Sequence, residues 1–272
     1  TFGIEYLHSL NIFVIQVPML PVTIIGTAVA FYIGFKNNSA YDRLWEARKI
    51  WGGIVNSSRM WGSTTKAFVG NQFKENPESE EEIVKMHRRL IYRHIAWLYT
   101  LRQQLLIPTA WEHISQGRMS RKKTKRIMKN SGVDLFLDEI TERELSKCLI
   151  KEETDKLLAF QNTATQIIDK QSQTLKELRE KDLIDDFRHM ELQQILNDFY
   201  THQGKCERIK KFPLPRQYGN MSLLFVRIFI FLLPFGFVQA FHDLGDWGAW
   251  LSIPFSILVG WVYITMELVG DY

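Results

Sequence analysis

Residues 11–35 have the sequence NIFVIQVPMLPVTIIGTAVAFYIGF, which contains no Asp, Glu, Lys or Arg. A helix over this run would be about 37 Å long, because each residue adds about 1.5 Å. The hydrocarbon core of a bilayer is about 30 Å thick and takes about 20 apolar residues to cross. The run is unlike a signal peptide, since it lacks a basic leading segment and reaches Lys36 without a clear small-residue cleavage site. It therefore predicts a membrane-spanning helix.

Two further uncharged runs lie near the other end of the chain, at 228–241 and 247–266. Extending the first of them back to Met221 gives a spanning length but includes Arg227, whose long side chain could reach the interface or a partner. The polar residues 242–246 between the runs predict a tight turn, so residues 221–272 are expected to form a transmembrane helical hairpin. The alternative is a set of buried core helices in a soluble protein, which would have to cover three such runs.

Nearly all ionisable residues lie between the runs, in residues 36–220. Outside that region there are only one basic and five acidic residues, which leaves 33 basic and 25 acidic residues and a formal charge of +8 inside it. Lys and Arg flank the membrane runs on this side and are absent from the turn at 242–246. The region is therefore expected to be cytoplasmic, with the turn outside. Its two cysteines, Cys148 and Cys206, are predicted to be reduced thiols.

The cytoplasmic region is predicted to be helical throughout. Apolar residues recur every three or four positions over 79–105, with Ser79 and three glutamates at the start and Pro108 beyond the end. Residues 139–209 contain no proline and carry similar patterns. The expected domains are therefore 1–35 with the first span and its external lead-in, 36–220 as a cytoplasmic helical domain, and 221–272 as the hairpin.

Few residues suggest a chemical site. Asp185 and His189 could share one helix face as a metal ligand pair, but ordinary surface charges surround them. His87 and His94 are expected to pack or hydrogen-bond inside a helical bundle. The basic run at 121–126 could bind nucleic acid or anionic lipid, but a run of this kind is more often a solvated face beside a membrane, which is the preferred interpretation here. The sequence predicts no enzyme activity, no metal, no cofactor and no nucleic-acid partner.

Two motifs identify a family resemblance. Residues 34–52 are GFKNNSAYDRLWEARKIWG, and later come CERI at 206–209, PLP at 213–215 and LPF at 233–235. Their order and spacing closely resemble those of the bacterial bestrophin homologues, a family of pentameric ion channels. The resemblance implies an all-α membrane protein with a four-span subunit and a large cytoplasmic helical domain, assembled as a homopentamer in the bacterial inner membrane. Only three spans are recognisable, so the first is expected to precede Thr1.

The resemblance also implies which residues line the pore. The family's second span forms a narrow neck, and its ring positions correspond here to Thr27, Phe31 and Phe35. A second, cytoplasmic constriction corresponds to Phe187, with Asp186 beside it. Apolar rings of this kind gate by dewetting or by passing weakly hydrated ions. The alternatives are that Phe31 and Phe35 face lipid or pack against helices, and that Phe187 is a core residue.

By this resemblance the chain is expected to be a channel for small monovalent ions, conducting anions such as chloride. Its partners would be the lipid bilayer, further copies of itself and the ions. Some bacterial members of the family favour small cations, and Asp185 and Asp186 near the exit would do the same, so a sodium or potassium channel of the same fold is one alternative. A membrane-anchored interaction or signalling protein is another. No calcium site is expected in these residues, since the family's acidic cluster would follow the last span.

Overall fold

The computed structural model describes residues 17–109, 138–211, 216–242 and 245–270, with isolated positions at 6, 122, 126 and 129–130. These residues form helices and connecting turns, and no strand occurs among them. The helices are α1 (Met19–Phe68), a short 3₁₀ turn (Asn71–Phe73), α2 (Glu80–Leu106), α3 (Asp138–Cys148), α4 (Lys151–Leu158), α5 (Thr163–Glu180), α6 (Asp186–Lys211), α7 (Arg216–His242) and α8 (Asp246–Val269).

The chain folds into two compact units. One, here called the membrane unit, comprises Thr1–Glu46 with Pro213–Tyr272, and the other, the helical unit, comprises Ala47–Phe212. Helix α1 has 50 residues and continues through residue 46 without a break. The domain boundaries predicted at residues 35 and 220 stay predictions, because they describe where the chain would leave a bilayer.

The membrane unit contains the apolar runs identified in the sequence. Within the described residues, three helices have stretches long and apolar enough to cross a membrane, in Met19–Phe73, Met221–Val238 and Trp250–Val269. Residues 11–16 of the first run, and part of the expected turn at 242–246, lie outside the described part of the chain. A small apolar core joins α1 and α7, and Val259 and Tyr263 of α8 pack against it. Its buried residues are Val22, Val29, Ile33, Val226, Phe229 and Leu233.

One glycine sets the distance between helices in this unit. A Cβ atom on Gly26 would lie 2.7 Å from the Phe229 ring, closer than carbon atoms can approach. The Tyr263 hydroxyl donates a hydrogen bond to the Gly26 carbonyl at 3.0 Å. Gly26 therefore allows α1 to contact both α7 and α8 within the same helical turn.

In the helical unit, helix α2 begins where the sequence predicts. The Ser79 side chain accepts a hydrogen bond from the Glu82 backbone N–H, and three glutamates occupy the first turn, where they favour the positive end of the helix dipole. Residues 157–178 share one hydrophobic periodicity but fall on two helices, because α4 ends at Leu158 and the Asn162 side chain caps the start of α5.

Aromatic residues fill the centre of the helical unit. His94 stacks on Phe199 with ring centroids 4.5 Å apart, and its Nε2 lies 2.9 Å from Ser58 Oγ. The Trp97 indole donates to Gln203 Oε1 at 3.1 Å. His87 Nε2 lies 2.9 Å from the Val69 carbonyl oxygen. The prediction that His87 and His94 hydrogen-bond within a helical bundle is therefore confirmed.

Candidate pore-lining site

Helix α1 presents the three predicted neck residues on one open face. Thr27, Phe31 and Phe35 are four residues apart within α1, so their side chains follow one another along the helix. Phe31 and Phe35 are 66% and 65% exposed, whereas Ile33 on the packed side is fully buried. The packed and open faces of α1 are therefore clearly distinct, and both phenylalanines belong to the open one. The interpretation that they pack within the subunit is wrong.

The open face borders a groove with an uncharged lining. The groove has a volume of about 580 Å³ and is lined by Thr27, Ala30, Phe31, Gly34, Phe35, Asn38 and Tyr263. The Thr27 hydroxyl donates a hydrogen bond to the Thr23 carbonyl at 2.9 Å. Its hydrogen is thus directed along the helix and only the oxygen lone pairs point outward, so Thr27 is less polar than its residue type suggests.

Phe187 stands at the start of α6 with its side chain in the open. It is 81% exposed, and Met190, one turn further along, is 71% exposed. Both lie on one face of α6, since residues three apart are neighbours on a helix. Such exposure excludes the interpretation of Phe187 as a core residue of the subunit.

Asp186 is held by an arginine. Arg179 Nε lies 2.5 Å from Asp186 Oδ1, and Arg179 Nη1 also lies 3.4 Å from Asp182 Oδ1. The hydrogen bond from Arg179, and then its charge, lower the pKa of Asp186, while the same contact raises the pKa of Arg179. The Asp186 carboxylate is therefore ionised and compensated by a neighbouring cation, so it does not act as an isolated negative charge beside Phe187.

A second arginine, which no sequence pattern marks, fixes the other side of Phe187. The Arg188 guanidinium lies 5.4 Å from the Phe68 ring centroid and 4.8 Å from that of Phe73. It donates hydrogen bonds to the Phe68 carbonyl at 3.2 Å and to Gln72 Oε1 at 2.5 Å. The residues on both sides of Phe187 are therefore anchored, which directs the phenylalanine outward.

The possible metal pair of Asp185 and His189 already has a structural role. Asp185 Oδ1 accepts a hydrogen bond from the Arg188 backbone N–H at 2.8 Å, as the cap of α6. Among the described residues no group of three or more His, Cys, Asp and Glu side chains could hold a metal ion. Most of the basic run at 121–126 and the motif at 213–215 lie outside the described residues.

Comparison with known proteins agrees with the family that the sequence resembles. The family model described as "Bacterial/Fungal Bestrophin protein" matches residues 1–272. The chain is 26% identical to the voltage-dependent anion channel-forming protein YneE of Escherichia coli K12, over 94% of this chain and 68% of that protein. It is 23% identical to the voltage-dependent anion channel-forming protein mll4386 of Mesorhizobium japonicum, over 92% and 65%. The chain thus spans about two thirds of the length of these curated relatives.

Solved structures resemble the whole described fold. The crystal structure of a bacterial bestrophin homologue from Klebsiella pneumoniae superposes with a TM-score of 0.73 at 19% identity, over 98% of this chain and 80% of that chain. A variant of the same homologue with one tryptophan replaced by alanine gives a TM-score of 0.71 at 19% identity, over 94% and 76%. The all-helical fold expected from the sequence is therefore confirmed.

Proposed function

The chain belongs to the bacterial and fungal bestrophin family, and we propose that it is the subunit of a membrane channel that conducts small anions. Five copies would surround one pore in the bacterial inner membrane, with the helical unit on the cytoplasmic side. Thr27, Phe31 and Phe35 would form three stacked rings at the neck, and Phe187 a further ring at a cytoplasmic constriction.

The observation that carries this proposal is the open face of α1. Two large aromatic side chains on a membrane helix are two-thirds exposed, while the opposite face of the same helix is packed against α7 and α8. Five such faces around an axis would make apolar rings, which pass ions only when water and weakly hydrated ions can enter. An uncharged groove beside them agrees with a passage that holds ions without binding them tightly.

Three observations favour anions over cations. The relatives are named as anion channel-forming proteins. In addition, the Asp186 carboxylate, which alone would attract cations to the second constriction, is paired with Arg179. The basic excess of residues 36–220 acts in the same direction, because a positive vestibule concentrates anions. The cation-channel alternative therefore loses part of its support, because Arg179 offsets part of the acidic charge near Phe187.

The test is reconstitution of the purified protein in planar bilayers with unequal KCl on the two sides. The zero-current potential should lie close to the chloride equilibrium potential, and replacing chloride with a large organic anion should abolish most of the current. A potential close to that of potassium would refute anion selectivity. Absence of current from well-assembled protein in several salts would refute the channel and favour an interaction protein.

The neck is tested by replacing its phenylalanines. Phe31→Ala with Phe35→Ala should raise single-channel conductance or relax selectivity among anions, because the rings that exclude water are widened. Phe231→Ala is a matched control, since Phe231 lies on α7 and is 68% exposed but outside the proposed neck. If the control changes the conductance as much as the double variant does, the assignment of the neck is wrong.

A further inference from the structure

A buried ion pair joins the first and last helices of the membrane unit. Lys36 Nζ lies 2.6 Å from Glu267 Oε1, and the two residues are only 5% and 3% exposed. Ser222 of α7 donates a hydrogen bond to the other carboxylate oxygen, Glu267 Oε2. One carboxylate thus receives an ammonium group and a hydroxyl group, and it connects α1, α7 and α8 at the same level.

The next residue of α1 reinforces this connection. Asn37 Nδ2 donates a hydrogen bond to the Met266 carbonyl at 3.0 Å, in the last turn of α8, where carbonyl groups lack partners within the helix. A Cβ atom on Gly270 would collide with Asn37 Oδ1, so the close approach requires a glycine. Lys36 and Asn37 therefore bind two consecutive residues at the end of α8.

The ion pair lies next to the proposed neck. Lys36 directly follows Phe35, and successive residues of an α-helix point about 100° apart. Phe35 therefore faces the groove while Lys36 reaches Glu267. A rotation of α1 large enough to redirect Phe35 would pull the Lys36 ammonium away from the carboxylate. Separating the pair would leave two uncompensated charges in an apolar environment, which is much less favourable than separating an exposed pair.

We propose that Lys36, Glu267 and Ser222 form a positioning element that holds α1 in one rotational setting and thereby fixes the direction of Phe35. Movement at the end of α8 is transmitted to the neck through this carboxylate. The element rests on the proposed channel function, and it acts on opening and closing. None of its three side chains contacts the permeating ion.

Single-channel recording of charge variants tests this role. Lys36→Met and Glu267→Gln should each change the ratio of open to closed time by about tenfold or more, in the same direction, because each leaves one buried charge unpaired. The exchange Lys36→Glu with Glu267→Lys should restore the ratio to within about twofold, since it re-forms the pair. Glu82→Gln, which breaks an exposed pair with Lys85, is the matched control and should have no effect.

Conductance and zero-current potential separate positioning from ion contact. Both should stay at wild-type values in every variant that conducts. An unchanged open-to-closed ratio in both single variants would overturn the proposal, as would a change that the exchanged pair fails to reverse. If the single variants do not assemble, Ser222→Ala and the exchanged pair decide the question. Ser222→Ala should shift the ratio of open to closed time measurably, but by less than about tenfold, because it removes one hydrogen bond to Glu267. The exchanged pair should match the wild type, and an unshifted ratio in Ser222→Ala would overturn the proposal.

A second readout does not depend on current. In protein with Cys148 and Cys206 replaced by serine, Phe35→Cys can be labelled with a charged maleimide. In that background, Glu267→Gln should change the labelling rate of Phe35→Cys severalfold. Replacing it with the exchanged pair, Lys36→Glu with Glu267→Lys, should restore the original rate. Equal rates in all three proteins would overturn the positioning role. If the wild-type protein carries no current, only the channel function is refuted. The labelling result would still show whether the ion pair orients Phe35.

Discussion

The burial of His94 predicts a specific loss of stability in acid. Its ring is almost fully buried between Phe199 and Trp97, and loss of solvation lowers its pKa from 6.5 to about 4. The folded protein therefore keeps His94 neutral at pH values where the unfolded chain binds a proton. Stability from this group is fully present above pH 6.5 and is lost as the pH falls towards 4.

The size of the loss follows from the pKa difference. Each pH unit of difference corresponds to about 1.4 kcal/mol, so the full loss is about 3 kcal/mol, of which about 2 kcal/mol is gone at pH 5. Replacing His94 with phenylalanine removes the titrating group while keeping an aromatic ring between Phe199 and Trp97. The variant should be less stable than the wild type at pH 8, because the hydrogen bond between His94 and Ser58 is lost, but it should lose about 2 kcal/mol less on acidification to pH 5.

The assay is urea unfolding of the purified protein in detergent, followed by circular dichroism at pH 8 and pH 5. Other acidic and basic groups contribute equally to the wild type and the variant, so they cancel in the comparison. Thr100→Ala, on the same helix, removes a buried side-chain hydrogen bond without removing a titrating group, so as the control it should keep the wild-type pH dependence. If His94→Phe loses as much stability as the wild type between the two pH values, the burial argument is wrong.

Two other predictions concern charge and packing. Asp186→Asn should remove one of the carboxylates paired with Arg179, leaving its contact with Asp182, and raise chloride conductance by about twofold at low salt, an effect that should vanish near 1 M salt; unchanged conductance at low salt would place Asp186 away from the ion path. Gly26→Ala should destabilise the protein by about 1–3 kcal/mol through its clash with Phe229, whereas Gly62→Ala, with open space around it, should be neutral or stabilising in the same thermal unfolding assay. Equal stability of the two glycine variants would contradict the close approach at Gly26.

Local features of the fold were predictable because they depend on neighbours in the chain. The uncharged runs indicated the spans, and Ser79 with its glutamates indicated the start of α2. The alignment of Thr27, Phe31 and Phe35 follows from helix periodicity alone. The exposure of Phe31 and Phe35 could not be predicted, since an apolar residue on a membrane helix can equally well face lipid, a neighbouring helix or a passage.

The contacts that the sequence did not predict join distant parts of the chain. Lys36 and Glu267 are 231 positions apart, and Arg188 and the Phe68 carbonyl are 120 apart. Neither pair has a local pattern, because the spacing between partners is set by the packing of helices. A lysine at the end of an apolar run looks like an ordinary flank of a membrane helix, and only the fold shows that its ammonium group is buried against a carboxylate.

The charge beside Phe187 illustrates why residue type alone misleads about selectivity. From the sequence, Asp186 is a negative charge next to a constriction and argues for cations. In the structure its carboxylate is in contact with the Arg179 guanidinium, which also lies 3.4 Å from Asp182 Oδ1. The cation therefore offsets part of the acidic charge and weakens its field at a distance. The acidic residue next to Phe187 is therefore weaker evidence for cation selectivity than its residue type suggests.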